Sequence, residues 1–215
     1  MSTRESLTRL ACPLGDVPEA VGGVAGALAG SKVGDLVVTL RAEDVGGRRA
    51  AYVVECKDRR LTLKAALAEI EEGMRNRDAQ AGLMVFSGAA NAPIATDFQD
   101  FGDRAIVVLD KEDGDERALR LACMWARWVV RRALVGGAEG PDVERMRQLL
   151  QNAQRALGTA SNVRRCHTQA RKGIDEAVAG LDALVADVDA ALGAIAVELE
   201  RSPGPQASSS QGTLL

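Results

Sequence analysis

The chain has 215 residues, of which 47% are hydrophobic and only 3% are aromatic. This length allows one domain of ordinary size plus an extension, and the scarcity of aromatic side chains argues against the base-stacking surfaces of RNA-binding modules. The formal net charge of -3 excludes a general attraction to phosphate, so any DNA contact has to come from a local basic patch.

The first third of the chain predicts a short helix followed by a β-hairpin. Residues 5–12 favour a helix, which Pro13 and Gly15 end, and the glycine-rich stretch up to Gly30 favours a strand and a loop. The β-branched residues of 33–40 and 50–56 predict two strands. The paired glycines Gly46 and Gly47 between them are typical of a turn.

The middle of the chain alternates helical and strand patterns. Residues 61–77 predict an amphipathic helix with Leu63, Leu67 and Ile70 on its apolar side and Glu69 facing outward. Apolar strands are predicted at 82–87 and 105–110, and a second helix at 115–134. We therefore expect a mixed α/β sheet flanked by helices, forming a domain over residues 1–135.

The last third of the chain predicts one long helix. Glycines and Pro141 indicate a linker at 136–141, and residues 142–200 carry a coiled-coil-like apolar repeat, with a stammer-like slip between Leu157 and Val163. Because such a stripe needs a partner, we expect homo-oligomerisation through 142–200 or a helix that folds back on itself. Residues 201–215, rich in serine, predict a disordered tail.

Cysteine and histidine usage narrows the possible chemistry. The four cysteines form no CxxC pair, so they are not typical of a zinc site or a disulfide framework. The single histidine, His167, lies in the long helical repeat, which argues against mechanisms that need a histidine base or several histidine ligands. With no apolar leader and no run of about 18 apolar residues, we expect a soluble, cytoplasmic protein without membrane contact.

Three charged residues stand where burial would make them costly. Asp35 lies near the start of the first hairpin strand, and Glu55 and Lys57 lie at the end of the second. A buried charge needs a partner or a metal ion, so their convergence requires an explanation. Since side chains alternate along a strand, Glu55 and Lys57 share one face and Cys56 points to the other.

Asp35 and the Glu55-Cys56-Lys57 tripeptide resemble the PD-(D/E)xK signature of restriction-endonuclease-like proteins. The flanking pattern is also similar, with a glycine before Asp35, then a helix and an apolar strand after Lys57. Within this superfamily the chain looks most like bacterial nuclease-like domains attached to coiled coils, of the RmuC kind. The proline of the signature is absent here, since Val33-Gly34 precedes the aspartate.

The resemblance implies a Mg²⁺-dependent nuclease that hydrolyses phosphodiester bonds of DNA, with Mn²⁺ as a substitute ion. The ligands of the ion would be Asp35, Glu55, the backbone carbonyl of Cys56 and a carboxylate on the first helix. Glu5 is the candidate for that carboxylate by its position, whereas Glu19 would lie in the following strand. Lys57 would orient the attacking water and offset charge on the phosphate.

Basic residues near the hairpin are the expected DNA contacts, and the sequence does not reject RNA. They are Arg59, Arg60, Lys64, Arg75 and Arg77. Two other interpretations remain open. In one, Asp35 and Lys57 form an ordinary ion pair on a surface hairpin. In the other, the domain is a non-catalytic nucleic-acid or partner-binding module, and the coiled coil carries the function through oligomerisation.

Overall fold

The computed structural model describes residues 3–28, 31–109, 115–135 and 141–201. Four helices and six strands follow one another along these segments. They are α1 (Thr3–Ala11), β1 (Val17–Ala20), β2 (Leu36–Thr39), β3 (Ala51–Lys57), α2 (Leu63–Arg77), β4 (Ala81–Ser87), β5 (Phe98–Asp100), β6 (Arg104–Leu109), α3 (Arg117–Leu134) and α4 (Pro141–Arg201).

The six strands form one mixed sheet in the order β1-β2-β3-β4-β6-β5. The hairpin pairs β2 and β3 antiparallel, with Leu36 opposite Val54, and β1 pairs antiparallel with β2. Strands β3, β4 and β6 are parallel to one another, and β5 closes the edge antiparallel to β6. The expected mixed α/β sheet is confirmed, whereas the short strand β5 was not predicted.

Alternating side chains give the sheet two apolar faces. One face carries Val54, Leu83 and Val107, and it packs against α1 and α3. The opposite face carries Met84 and Ile106, and it packs against the apolar side of α2. The prediction of helices on the faces of the sheet is therefore confirmed, and β3 lies between α2 and α3.

Helix α2 begins and ends through local polar contacts. The hydroxyl of Thr62 accepts a hydrogen bond from the Ala65 N–H (3.2 Å), which is an ordinary N-cap, and Asp78 adopts a left-handed conformation (φ 52°) just after the last helical residue. Ala66 and Ile70 face the sheet. This fixes the helix against β3 and β4, at the strand ends where Glu55 and Lys57 lie.

Helix α4 runs as a single α-helix from Pro141 to Arg201 and does not fold back within the described residues. Its first part packs on the sheet domain, with Leu150 and Leu157 against the core and the Gln154 amide 2.7 Å from Asp100. The first compact unit accordingly extends to residue 162, beyond the predicted boundary at 135. A second unit begins at Val163.

Two predicted segments lie largely outside the described residues. They are the linker at 136–141 and the tail at 201–215. Of the linker the structure describes only Pro141, the first residue of α4, and of the tail only Arg201, the last residue of α4. No helix in the described part of the chain is both long enough and apolar enough to span a lipid bilayer.

Candidate active site

The hairpin brings Asp35 to the end of β3. The residue directly precedes β2, and its backbone N–H donates to the Val54 carbonyl (3.1 Å). Its side-chain Oδ2 accepts a hydrogen bond from the Cys56 N–H (2.8 Å). The carboxylate is thus attached to the backbone of β3 between the two other predicted site residues, Glu55 and Lys57.

Glu55 is almost completely buried, with 2% of its surface exposed. Its Oε1 accepts a hydrogen bond from the Gly34 N–H, and its Oε2 lies 3.3 Å from Lys57 Nζ. A buried carboxylate without such donors would carry a large desolvation cost. The backbone before Asp35 and the side chain of Lys57 therefore hold the Glu55 carboxylate in place.

Gly34 has a conformation that other residues rarely adopt, with φ of 103°. A Cβ at this position would also lie 2.8 Å from Arg77 Nε and 3.0 Å from Val53 Cγ2. Both constraints require a glycine where the chain turns its N–H toward Glu55. The glycine before Asp35 is therefore part of the site.

Lys57 makes its shortest ionic contact with Glu69, which we expected on the outer side of α2. Its Nζ lies 2.5 Å from Glu69 Oε1, compared with 3.3 Å from Glu55 Oε2. The expectation that Glu69 faces outward is wrong. A signal for it existed, because position 69 falls on the same three- and four-residue spacing as the buried Ala66 and Gly73.

The ion pairs of Lys57 also decide between two interpretations of the hairpin. Among the described residues, Lys57 pairs with Glu55 and Glu69 and forms no pair with Asp35. The interpretation of an ordinary Asp35–Lys57 surface pair is therefore wrong. Asp35 instead bonds the backbone of β3, and its Oδ1 accepts no hydrogen bond from any residue that the structure describes.

The pKa values of Glu55 and Lys57 are shifted because charged groups lie close together in a partly buried site. Burial, followed by repulsion from Asp35, raises the pKa of Glu55 from 4.5 to about 7, although Lys57 and the Gly34 N–H oppose the shift. Burial alone would lower the pKa of Lys57, but the hydrogen bond to Glu69 and the charges of both glutamates raise it. Lys57 is consequently a charged ammonium at neutral pH.

Cys56 lies on the opposite face of β3, as predicted. It packs against the core that contains residues of α1, and its thiol hydrogen-bonds with Thr3. Burial, followed by the charge of Asp35, raises the pKa of the Cys56 thiol to about 11. The thiol is therefore protonated at neutral pH and is not a nucleophile.

The prediction that Arg77 contacts DNA is wrong. Its side chain is only 8% exposed, and no carboxylate of the described chain pairs with it. The guanidinium instead binds backbone carbonyls of the loop that precedes β2. Its Nε donates to the Val33 carbonyl (3.0 Å), and its Nη2 donates to those of Val21 (2.8 Å) and Val24 (2.9 Å), with Gly34 and Lys32 slightly farther away. Arg77 therefore fixes the path of this loop.

Asn76 completes the same arrangement from the preceding position. Its Oδ1 accepts from the Leu28 N–H (2.9 Å), and its Nδ2 donates to the carbonyls of Ser31 (3.2 Å) and Val33 (2.8 Å). The segment held by Asn76 and Arg77 leads directly into Gly34, whose N–H binds Glu55. The C-terminal end of α2 thus positions the loop that forms one wall of the site.

The remaining predicted residues lie at the surface. Arg59, Arg60, Lys64 and Arg75 are exposed, which is compatible with the predicted contacts to a phosphate backbone. Glu5 lies in the first turn of α1, and Glu19 lies in β1. Both are exposed, in contrast with Glu55.

Asp35 and Glu55 offer oxygen donors of the kind that Mg²⁺ takes. Two carboxylates that repel each other would be relieved by a cation between them, as the raised pKa of Glu55 indicates. The Cys56 carbonyl points to the same side of β3 as its N–H, and therefore toward Asp35. No group of three or more His, Cys, Asp or Glu side chains in the described segments is arranged to hold a metal. Mg²⁺ in proteins usually has one or two carboxylate ligands and keeps several waters.

Comparison with known proteins gives no relative from which a role could be transferred. Neither a protein-family model, nor a curated protein, nor a solved structure matches this chain. Any functional interpretation of Asp35, Glu55 and Lys57 therefore rests on their geometry and on the signature that they resemble.

We predict that Glu55→Gln stabilises the metal-free protein at pH 8. The pKa of Glu55 is raised from 4.5 to about 7 on folding, so its contribution to stability falls as the pH rises from about 4.5 through 7 and stays low above that. The neutral amide avoids this cost. Urea unfolding should show a gain of about 1 to 3 kcal/mol at pH 8 and none near pH 4.

The matched control is Glu19→Gln, which removes an exposed carboxylate from β1. It should change the free energy of unfolding by less than about 0.5 kcal/mol at either pH. A loss of stability in Glu55→Gln at pH 8 would show that the carboxylate is satisfied in its charged form.

Arg77→Met should destabilise the protein severely, because it leaves one buried and several partly buried backbone carbonyls without a donor. The expected loss in the free energy of unfolding is about 3 kcal/mol or more. Arg75→Met, two residues away on the exposed side of α2, should cost less than about 0.5 kcal/mol. Equal losses in the two variants, measured by urea unfolding, would contradict the role assigned to Arg77.

Proposed function

We propose that the first compact unit is a restriction-endonuclease-like domain that hydrolyses phosphodiester bonds of DNA with Mg²⁺, or with Mn²⁺ in its place. One observation carries the proposal: Asp35, Glu55 and Lys57 come together at the carboxyl end of β3, beside the start of β2. The mixed sheet with helices on both faces is compatible with this fold. A role in DNA processing or in defence against foreign DNA would suit such an activity.

Each residue has a part that follows from its contacts. Asp35 and Glu55, with the Cys56 carbonyl, would hold the ion, which when bound activates a water and offsets phosphate charge. Lys57 keeps its proton because of Glu69 and Glu55, so it acts as a fixed positive charge beside the phosphate and not as a base. Glu69 is a positioning residue that aims the ammonium.

DNA would be held by the exposed basic residues that follow β3 and line α2. Arg59 and Arg60 come two and three residues after the end of β3, and Lys64 lies in the first turn of α2. Arg75 lies near the end of the same helix. Such contacts hold the sugar-phosphate backbone and do not read sequence, and RNA offers the same phosphates.

A second candidate function is assembly without catalysis. It is favoured by the exposed apolar side chains of α4 beyond residue 163, which include Ile174, Leu181 and Leu192. Such a stripe in water marks an interaction surface. In this case the sheet domain would bind nucleic acid or a protein without cutting, and self-association through the helix would carry the function.

The nuclease proposal predicts that the purified protein cleaves plasmid or linear DNA when Mg²⁺ or Mn²⁺ is added. Lys57→Ala should reduce the rate by about 100-fold or more, because the fixed charge beside the phosphate is lost. Glu69→Gln should reduce it by about 10-fold, since Lys57 keeps its contact with Glu55. Gel assays on identically purified proteins measure both effects.

Lys172→Ala serves as the control, because it removes an exposed lysine from α4. It should cleave at the wild-type rate. Equal activity of Lys57→Ala and the wild type would indicate a contaminating nuclease or another site. If the wild type binds DNA but does not cleave it with either Mg²⁺ or Mn²⁺, the second candidate function would be favoured.

A further inference from the structure

Beyond residue 173, helix α4 carries a stripe of large apolar side chains with an unbroken heptad spacing. Successive members are four and three residues apart in strict alternation. Each of them is between 51% and 70% exposed. They are Ile174, Val178, Leu181, Val185, Val188, Leu192, Ile195 and Leu199, and we call this stripe the seam.

The same phase continues toward the start of α4. Counting back from Ile174 by threes and fours leads through Arg171, His167 and Arg164 to Ala160 and then to Leu157 and Leu150. This count passes the predicted slip between Leu157 and Val163 without a change of spacing. The repeat keeps its phase, and three basic or ionisable residues occupy its middle positions in an uninterrupted α-helix.

The first part of this repeat already has a partner. Leu150 and Leu157 pack against the core of the sheet domain in their own chain. The seam, in contrast, is exposed over its whole length. Of the segment predicted to mediate oligomerisation, 142–200, the first third thus has apolar contacts within its own chain.

We propose that the seam pairs with the seam of a second copy of this chain in a two-stranded coiled coil. The inference refines the self-association considered above and is independent of catalysis. At roughly 100 Å² for each half-exposed aliphatic side chain, the seam would bury roughly 800 Å² per copy. That area is the usual size of a stable, specific interface.

The composition of the seam favours its own copy as the occupant. All eight positions are Val, Leu or Ile, so the core side chains of one helix meet aliphatic core side chains of an identical helix. Flanking positions are small, acidic or aliphatic, as at Ala177, Asp182, Leu184, Asp189 and Ala191. A purely apolar contact of this length therefore forms without burying a charge.

The basic residues that precede the seam limit the assembly to two strands. Arg164, His167 and Arg171 occupy core positions of the same repeat. In a two-stranded coiled coil these long side chains reach water at the edges of the narrow core, whereas three or four strands would bury them. A charged core position is a known device for fixing the number of strands.

The test compares charges placed on the seam with the same charges placed on the outer side of the helix. The double variant Leu181→Asp/Leu192→Asp changes the seam. The double variant Ala183→Asp/Ala190→Asp adds the same charges two residues away, at exposed positions opposite the seam. Sedimentation equilibrium of the full chain at 1 to 100 μM, with circular dichroism to monitor helix content, provides the comparison.

The wild type and the outer-face variant should both sediment at twice the monomer mass. The seam variant should be a monomer, with a dissociation constant raised by about 100-fold or more. A monomeric wild type would overturn both self-association and the seam. Three results would overturn the two-stranded seam alone: the seam variant remains an oligomer, both variants become monomers equally, or the wild type contains three or more copies. None of these results bears on DNA cleavage.

Discussion

The site depends on the burial of one carboxylate, that of Glu55, at the carboxyl end of an interior strand. With 2% of its surface exposed, this group has lost nearly all contact with water. Removing an ionised carboxylate from water costs several kcal/mol unless donors or opposite charges replace the solvent. The Gly34 N–H and the Lys57 ammonium are those replacements. The close approach of Asp35 works against them and raises the pKa of Glu55.

The C-terminal end of α2 supports this arrangement from the other side. The side chains of Asn76 and Arg77 bind the loop before β2. Their partners are backbone carbonyls and N–H groups of the loop, not its side chains. The loop is rich in glycine, which leaves its backbone many accessible conformations, and polar contacts with that backbone restrict them. Gly34 then presents its N–H to Glu55. Helix α2 thus contributes twice, since Glu69 of the same helix also orients Lys57.

Much of this could be predicted from local patterns. Apolar strands and amphipathic helices gave the order of elements, and alternation along β3 placed Glu55 and Lys57 on one face and Cys56 on the other. The hairpin then brought Asp35 to the same strand end. These results depend on contacts between neighbouring strands, which short-range periodicity encodes well.

Other features depend on contacts between distant segments, which a single sequence does not encode. Arginine is usually found at the surface, yet Arg77 is buried because backbone carbonyls more than forty positions earlier in the chain surround its guanidinium. Glu69 pairs with Lys57 only once α2 lies against β3. The short strand β5 exists only through its pairing with β6. In α4 the predicted repeat was counted through apolar residues, whereas a count through Arg171, His167 and Arg164 keeps an even spacing.

The central claim is that Asp35 and Glu55 form a divalent cation site at the end of β3. Direct binding of Mn²⁺, followed by its electron paramagnetic resonance signal, tests this claim without any nucleic acid. The account predicts one site per chain in the wild type, a loss of at least about 10-fold in affinity in Asp35→Asn, and no change in Glu19→Gln. The claim would be contradicted if the wild type bound no Mn²⁺ at millimolar concentrations of the ion, or if the wild type and Asp35→Asn bound it equally.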